Sequence, residues 1–116
     1  MATVVGSGQY NDNAYFEHSW TALLNGDEGR PISMGGLADK SLQVTGTFGT
    51  SGEVVIEGSM DKTNWVTLTD PQGTALSFTA GGLSTILQNP KYVRPNVTAG
   101  DGTTSLTVAI GASSLK

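Results

Sequence analysis

The chain has 116 residues, contains no cysteine and carries a formal net charge of −4. This length suits one domain, and the lack of thiols excludes disulfide bonds and cysteine metal sites. The six lysine and arginine residues are scattered singly and no apolar run is long enough to span a bilayer, so we expect neither a nucleic-acid partner nor a membrane partner.

Residues 1–24 are predicted to form an extended or irregular N-terminal arm. The segment begins without a basic region followed by an apolar run, so we expect no secretory signal. Its glycine, asparagine and aspartate residues favour turns over regular elements. It also carries Tyr10, Tyr15, Phe16 and Trp20, whose rings are costly to leave in water. We therefore expect the arm to become ordered when a partner covers those rings.

Residues 25–116 are predicted to form a β-sandwich domain. Residues 15–24 and 30–34 could each form a strand, and apolar residues alternate with polar ones regularly over residues 41–112. Sixteen glycines and frequent turn signals favour short strands over helices. The predicted fold class is therefore all-β, an antiparallel β-sandwich or small barrel of jelly-roll type. The inward-facing positions predicted from the alternation are Leu42, Val44, Ile56, Val66, Leu68, Phe78, Leu106 and Val108.

Two local patterns depart from simple strand alternation. Leu83, Ile86 and Leu87 recur at helical spacing, which predicts one short helical turn that ends at residues 89–90. Pro95 falls within a predicted strand over residues 92–97. Because proline cannot donate a backbone hydrogen bond, it predicts a sheet edge or a bulge at that point.

A polar turn joins the two arms of a predicted hairpin over residues 58–68. Asp61, Thr63 and Asn64 have side chains that bond to nearby backbone groups, which predicts an Asx-type turn. A calcium site is the alternative interpretation. It would need about six oxygen ligands, more than this loop offers, so the turn is the interpretation we favour.

The sequence shows no arrangement typical of an enzyme. His18 is the only histidine, and no serine lies in a Gly-x-Ser-x-Gly elbow. A carboxylate pair could be drawn from Glu53, Glu57 and Asp61, but their spacing also fits the solvated outer face of a strand. We expect no enzyme activity, no cofactor, and no catalytic, cofactor-binding or metal-binding residue.

Aromatic and cationic residues predict a protein interface instead. If Val66 and Leu68 face inward, Trp65 faces outward on a surface with few charges, where an exposed tryptophan usually marks an interface. Arg94 follows Tyr92 on the same face of a strand. The candidate interface residues are Tyr10, Tyr15, Phe16, Trp20, Trp65, Tyr92 and Arg94.

Three segments carry a resemblance to a known group of proteins. They read GSxDxxNWxxL over residues 58–68, LTDPQGxALxF over residues 68–78 and KYVRPxVxxGDG over residues 91–102. In this order they resemble small virion structural proteins of tailed double-stranded DNA bacteriophages, such as capsid decoration or cement proteins. The resemblance implies a non-enzymatic protein that bridges subunits of the major capsid protein and stabilises the head. It also implies a homo-oligomer, a trimer or dimer, made in the host cytoplasm and placed on the outer surface of the capsid.

Two other assignments stay open from the sequence. An accessory tail, neck or fibre component of the same particle would share these features. The hairpin and the strand from Tyr92 to Arg94 are also similar to those of discoidin-type carbohydrate-binding sandwiches, although this chain is short for that fold and has no cysteine pair. A sugar-binding module is therefore the alternative from a different functional class.

Overall fold

Two β-sheets pack face to face in the computed structural model, which describes residues 2–11, 15–34 and 37–113. Within these residues every regular element is a strand, which confirms the predicted all-β sandwich. In chain order the strands are β1 (Thr3–Val4), β2 (Ser7–Asn11), β3 (Tyr15–Leu23), β4 (Glu28–Gly29), β5 (Ile32–Ser33), β6 (Ala38–Thr47), β7 (Glu53–Ser59), β8 (Val66–Thr67), β9 (Ser77–Phe78), β10 (Gly82–Thr85), β11 (Tyr92–Ala99) and β12 (Ser105–Ser113).

The two sheets differ in the length of their strands. The seven-stranded sheet runs β1-β4-β11-β7-β8, with β5 also on β11 and β9 also on β7. Its long strands are β7 and β11, and its flanks are strands of two residues. The five-stranded sheet runs β10-β6-β12-β3-β2 and is antiparallel throughout. All the pairings are antiparallel except that of β1 with β4.

The core lies between the sheets and is built by the alternation of strand residues. On β7, β11 and β12 every second residue is buried, and the two inward rows meet as in other aligned sandwiches. Six of the eight predicted core residues are buried: Leu42, Val44, Ile56, Leu68, Leu106 and Val108. The core also includes buried residues outside that list of eight: Trp20, Leu23, Met34, Leu37, Val54, Leu76, Ile86, Val93, Val97, Ile110 and Ala112.

The predicted N-terminal arm is wrong for residues 15–23, because they form β3, an interior strand between β12 and β2. Trp20 and Leu23 are completely buried. Between them the register slips against β12, so that Trp20 pairs with Val108 and Leu23 with Leu106. This bulge, at which Ala22 has a φ of 55°, places two core residues three positions apart and hides the two-residue period.

The predicted helical turn at residues 83–87 is also wrong. Gly82–Thr85 is strand β10, which pairs with β6. Leu83 points away from the core and Ile86 is buried, so the two side chains that suggested a helical face lie on opposite faces of a strand. Leu87 is exposed like Leu83, and the amide of Ile86 still bonds to Lys40 of β6. The three residues therefore follow the alternation of an extended chain.

Two predicted core residues lie outside the buried interior. Val66 pairs with Gly58 but is 67% exposed, because Leu68 and Pro90 fill the space over Gly58 and leave Val66 at the margin. Phe78 is only partly buried and packs against the core from its edge, whereas Leu76 is buried. The predicted burial is therefore confirmed at Leu68 and is wrong at Val66, whereas Phe78 lies at the edge of the core.

Pro95 lies in an interior strand rather than at an edge, and its missing N–H coincides with a gap between two short strands. On one side it pairs with Ile56 of β7. On the other side, β4 pairs at Asn96 and β5 begins opposite Val93, which leaves a gap between them at Pro95. The N–H of Val97 bonds toward β4, to the carbonyl of Asp27, so the nitrogen of Pro95, two residues earlier, faces the same side, where no ladder bond is needed.

The burial of Leu76 and the exposure of Val66 can be tested by their effects on stability. Leu76→Ala should lower the free energy of unfolding by about 2–5 kcal/mol, because it opens a cavity in the core. Val66→Ala should change it by no more than about 0.5 kcal/mol, as is usual for an exposed site. Denaturant unfolding of both variants measures this, and a larger loss for Val66→Ala than for Leu76→Ala would contradict the described packing.

Candidate interaction surface

The outer face of the seven-stranded sheet carries a half-buried cluster centred on Arg94. Arg94 and Glu57 are direct cross-strand partners, and Nε of Arg94 donates to Oε1 of Glu57 at 2.9 Å. Nη1 of Arg94 lies 3.0 Å from Oε2 of Glu28, which β4 brings alongside β11. The three side chains are only 15–21% exposed, so solvent screens these ion pairs less than it screens pairs on an open surface.

The indole ring of Trp65 covers the guanidinium group of Arg94. The guanidinium carbon lies 4.1 Å from the ring centroid, a cation–π contact that holds both side chains in place. Trp65 remains partly exposed. Because Glu28 and Glu57 fix the guanidinium group and that group fixes the ring, Trp65 is presented to solvent in an ordered position.

Tyr92 lies two residues before Arg94 on the same face and has two cations over its ring. The ammonium groups of Lys62 and Lys91 are 4.7 and 5.4 Å from the ring centroid. At the other end of β7, Glu53 accepts hydrogen bonds from Ser77 and Thr98. The outer face is therefore polarised along its length, with positive charge at the Tyr92 end and negative charge at the Glu53 end. We call the group formed by Glu28, Glu57, Trp65, Tyr92 and Arg94 the Trp65 patch.

The loop that precedes Trp65 is a closed network, as the Asx-type turn predicts. Oδ1 of Asp61 accepts bonds from the N–H groups of Thr63 and Asn64 at 2.8 and 2.9 Å, and Oδ2 accepts one from the Asn64 side chain. Oγ of Ser59 accepts the N–H groups of Asp61 and Lys62. The hydrogen bonds that the Asp61 carboxylate accepts, those from Asn64 first, hold the pKa of Asp61 well below its usual range.

The same network removes the basis for a calcium site in this loop. Both oxygens of the Asp61 carboxylate accept hydrogen bonds from N–H groups, which a cation would have to displace. Across residues 2–11, 15–34 and 37–113, no group of three or more histidine, aspartate and glutamate side chains is placed to hold a metal ion.

The structure brings together three of the seven predicted interface residues, namely Trp65, Tyr92 and Arg94. Trp20 is completely buried, so its assignment to an exposed interface is wrong. Phe16 packs partly buried against the core. The side chains of Tyr10 and Tyr15 lie outside the described part of the structure.

Sequence patterns did not identify the two carboxylates that complete the patch, or the lysine that lies over Tyr92 beside it. Glu57 shares the outward parity of its strand, which was noted, but its partner could be assigned only once the register of β7 on β11 was known. Glu28 lies in a strand of two residues, too short for a periodic signal. Lys62 lies in the turn before Trp65 with a φ of 65°, where strand alternation gives no direction for its side chain.

His18 is a partly buried polar residue on the inward face of β3. Its ring stacks on Phe16 at a centroid distance of 6.2 Å and meets Trp20 edge-to-face at 4.6 Å. Strand β2 passes so close that a Cβ added at Gly8 would lie 2.5 Å from Nδ1, which requires glycine there. Nε2 is buried without a hydrogen-bond partner among the described residues, and burial lowers the pKa of His18.

Lys40 is buried on the inward side of β6, with 1% of its surface exposed. Its ammonium group donates to Oδ1 of Asn89. Burial lowers the pKa of Lys40, while the nearby carboxylate of Asp39 acts in the opposite direction. The amide of Ile86 also bonds to the carbonyl of Lys40, so this residue fixes the segment that follows β10.

Comparison with solved structures shows a shared fold. The chain matches SPBc2 prophage-derived protein YomS with a TM-score of 0.65 and 16% identity, over 90% of this chain and 98% of that one. Weaker likenesses include Peruvianin-I, a cysteine peptidase from Thevetia peruviana latex, and the K1 cleaved adhesin domain of Lys-gingipain from Porphyromonas gingivalis W83. The first has a TM-score of 0.45 and 17% identity over 88% of this chain and 52% of that chain. The second has a TM-score of 0.45 and 7% identity over 97% of this chain and 85% of that chain.

Neither a protein-family model nor a curated protein matches the sequence. The described residues also contain no helix with the length and hydropathy needed to cross a bilayer.

The buried imidazole of His18 predicts a pH dependence of stability. Its pKa in the folded state is below the value of about 6.5 expected when unfolded, so the unfolded state takes up the proton first as the pH falls. The stabilisation is complete above about pH 6.5 and is lost progressively below it. The free energy of unfolding should therefore fall between pH 7 and pH 5.

Chemical denaturation at several pH values measures this effect, with His18→Gln as the control. Asp61 and Asp101 also have lowered pKa values, but a carboxylate of this kind loses its contribution only below about pH 4. The control should show a flatter profile between pH 5 and pH 7 than the parent. Equal slopes in the two proteins would show that His18 is hydrated in the folded state.

Proposed function

We propose that this chain is a structural component of a bacteriophage particle, a decoration or cement protein that contacts the major capsid protein on the outer surface of the head. The observation that carries the proposal is the Trp65 patch, an ordered group on an open sheet face in which two aromatic rings lie beside Arg94 and its two carboxylate partners. The fold shared with a prophage-derived protein over 90% of the chain supports the phage assignment, as do the sequence segments that resemble virion proteins.

The composition of the Trp65 patch suits protein recognition. Tryptophan, tyrosine and arginine are the residues most enriched among those that dominate binding energy at interfaces. Because the ion pairs to Glu28 and Glu57 already order Arg94, and Arg94 orders Trp65, little side-chain entropy would be lost when a partner covers the ring. The charge polarity along the face would set the orientation of that partner.

Stabilisation of a capsid then follows from mass action. A protein that binds only the assembled lattice shifts the equilibrium toward it. Contacts repeated around a symmetric shell gain effective concentration, so each contact can be weak by itself. The protein itself performs no chemistry in this mechanism and acts as a mechanical link between neighbouring subunits.

Carbohydrate binding is less well supported by the geometry of the patch. Sugar rings stack on the open face of an aromatic side chain, and one face of the Trp65 ring is occupied by the guanidinium group of Arg94. A tail, neck or fibre position would use the same patch against a different virion protein, and particle binding distinguishes it from a head position.

Capsid binding tests the proposal through Trp65→Ala. The purified protein is mixed with capsids that lack it, or separately with tails, and the bound fraction is measured after sedimentation. Trp65→Ala should weaken capsid binding by about 30-fold, which corresponds to about 2 kcal/mol at a central contact. Leu24→Ala, at an exposed leucine on another part of the surface, is the matched control and should bind as the parent does.

Three outcomes would contradict the proposal. Unchanged capsid binding by Trp65→Ala would remove the patch from the interface. Binding to tails alone would move the protein to a tail position. A glycan ligand that is lost in Trp65→Ala would replace the structural assignment with sugar binding.

A further inference from the structure

Strand β10 forms one end of the five-stranded sheet. On one side it pairs with β6, from Gly82 opposite Val44 to Thr85 opposite Ser41. Among the residues that the structure describes, no strand pairs with the other side of residues 82–85, and the intramolecular bonds on that side begin beyond them, where the amide of Leu87 donates to the carbonyl of Thr69. Such an edge presents unpaired N–H and C=O groups, which are a template for the addition of another strand.

The register identifies which backbone groups face outward. The amide of Ile86 donates to the carbonyl of Lys40 at 3.1 Å, which continues the β10–β6 register by one pair. In an antiparallel ladder, residues that point toward the partner strand alternate with residues that point away. Ser84 therefore directs its N–H and C=O groups to β6, and Leu83 and Thr85 direct theirs to the free edge.

This edge lacks the features that usually prevent strand addition. Natural edges are commonly protected by charged residues, proline, bulges or very short strands. The whole segment 72–89 contains neither a charged residue nor a proline, and the β10–β6 register has no bulge. In contrast, the flanking strands of the seven-stranded sheet, β1 and β8, have two residues each.

The side chains of β10 also favour association. Leu83 is 74% exposed, on the same outer face as its cross-strand partner Gln43. Covering this side chain would remove apolar surface from water, which is favourable. A partner strand of the same composition would bring no like charges together, whereas a charged peptide would gain no ion pair here.

We propose that β10 pairs with β10 of a second copy of this chain. The geometry is an antiparallel arrangement about a two-fold axis at Ser84, in which Leu83 of each copy lies opposite Thr85 of the other. Their outward N–H and C=O groups would then form roughly four backbone hydrogen bonds. The five-stranded sheets of the two copies would become one continuous sheet.

The inferred interface is small, so the association should be reversible. A strand of four residues buries less surface than a standard stable interface of about 1,600 Å². We therefore expect dimers that form as concentration rises and that are reinforced when copies are held side by side on a larger assembly. The inference goes beyond the proposed function and does not depend on it.

Sedimentation velocity from about 10 μM to about 1 mM tests the proposal with two variants. Thr85→Pro removes an N–H group that faces the free edge and leaves the bonds to β6 intact. Leu83→Lys places like charges close together across the two-fold axis. Both should stay monomeric over a range in which the parent and the matched control Leu24→Lys dimerise.

Amide hydrogen exchange provides a second readout that a loss of folding would not imitate. In the parent, the amides of Leu83 and Thr85 should become protected as concentration rises, while the amide of Ser84 should be protected at every concentration. A parent that stays monomeric to about 1 mM would overturn the proposal. Dimerisation that persists unchanged in Leu83→Lys and Thr85→Pro, or that protects other amides, would overturn it as well.

Discussion

The burial of Trp20 between the two sheets is the interaction on which the rest of the structure depends. Its Nε1 donates to the carbonyl of Arg30 at 3.1 Å, so the indole of one sheet is anchored to the segment after β4 in the other. Gly29 must be glycine, because a Cβ there would lie 2.8 Å from Nε1 and 2.5 Å from Cδ of Pro95. With Gly29 turned inward, Glu28 is turned outward, where its carboxylate reaches Arg94.

The candidate interaction surface is therefore a consequence of core packing. The tryptophan of β3 positions β4, and β4 supplies one of the two carboxylates that hold Arg94. The loop before Trp65 is fixed by its own hydrogen bonds. The Trp65 ring therefore contacts the Arg94 guanidinium group within the single chain. Rigid aromatic groups on a sheet face suit a binding role, and the free edge of β10 provides a separate surface for self-association.

Alternation in the sequence was enough to predict the fold class and most of the core, because Leu42, Val44 and Ile56 lie in strands with an unbroken two-residue period. It failed at Trp20, where a bulge breaks the period, and at Leu83, where the end of a strand imitates helical spacing. The sequence could predict that the side chains of Tyr92 and Arg94 share one face, because they lie two residues apart on one strand. The partner of Arg94, Glu28, was not predictable, because a strand of two residues is too short to show the alternation from which a register could be predicted.

The measurement that tests the central claim most directly is cryo-electron microscopy of particles purified from a phage whose genome encodes this chain. Density for a two-sheet sandwich should lie on the outer surface of the head, at repeated positions between capsid subunits. The face that carries Trp65 and Arg94 should be turned toward the shell and buried against it. Absence of the chain from the particle, or a head-bound copy with that face open to solvent, would contradict the account.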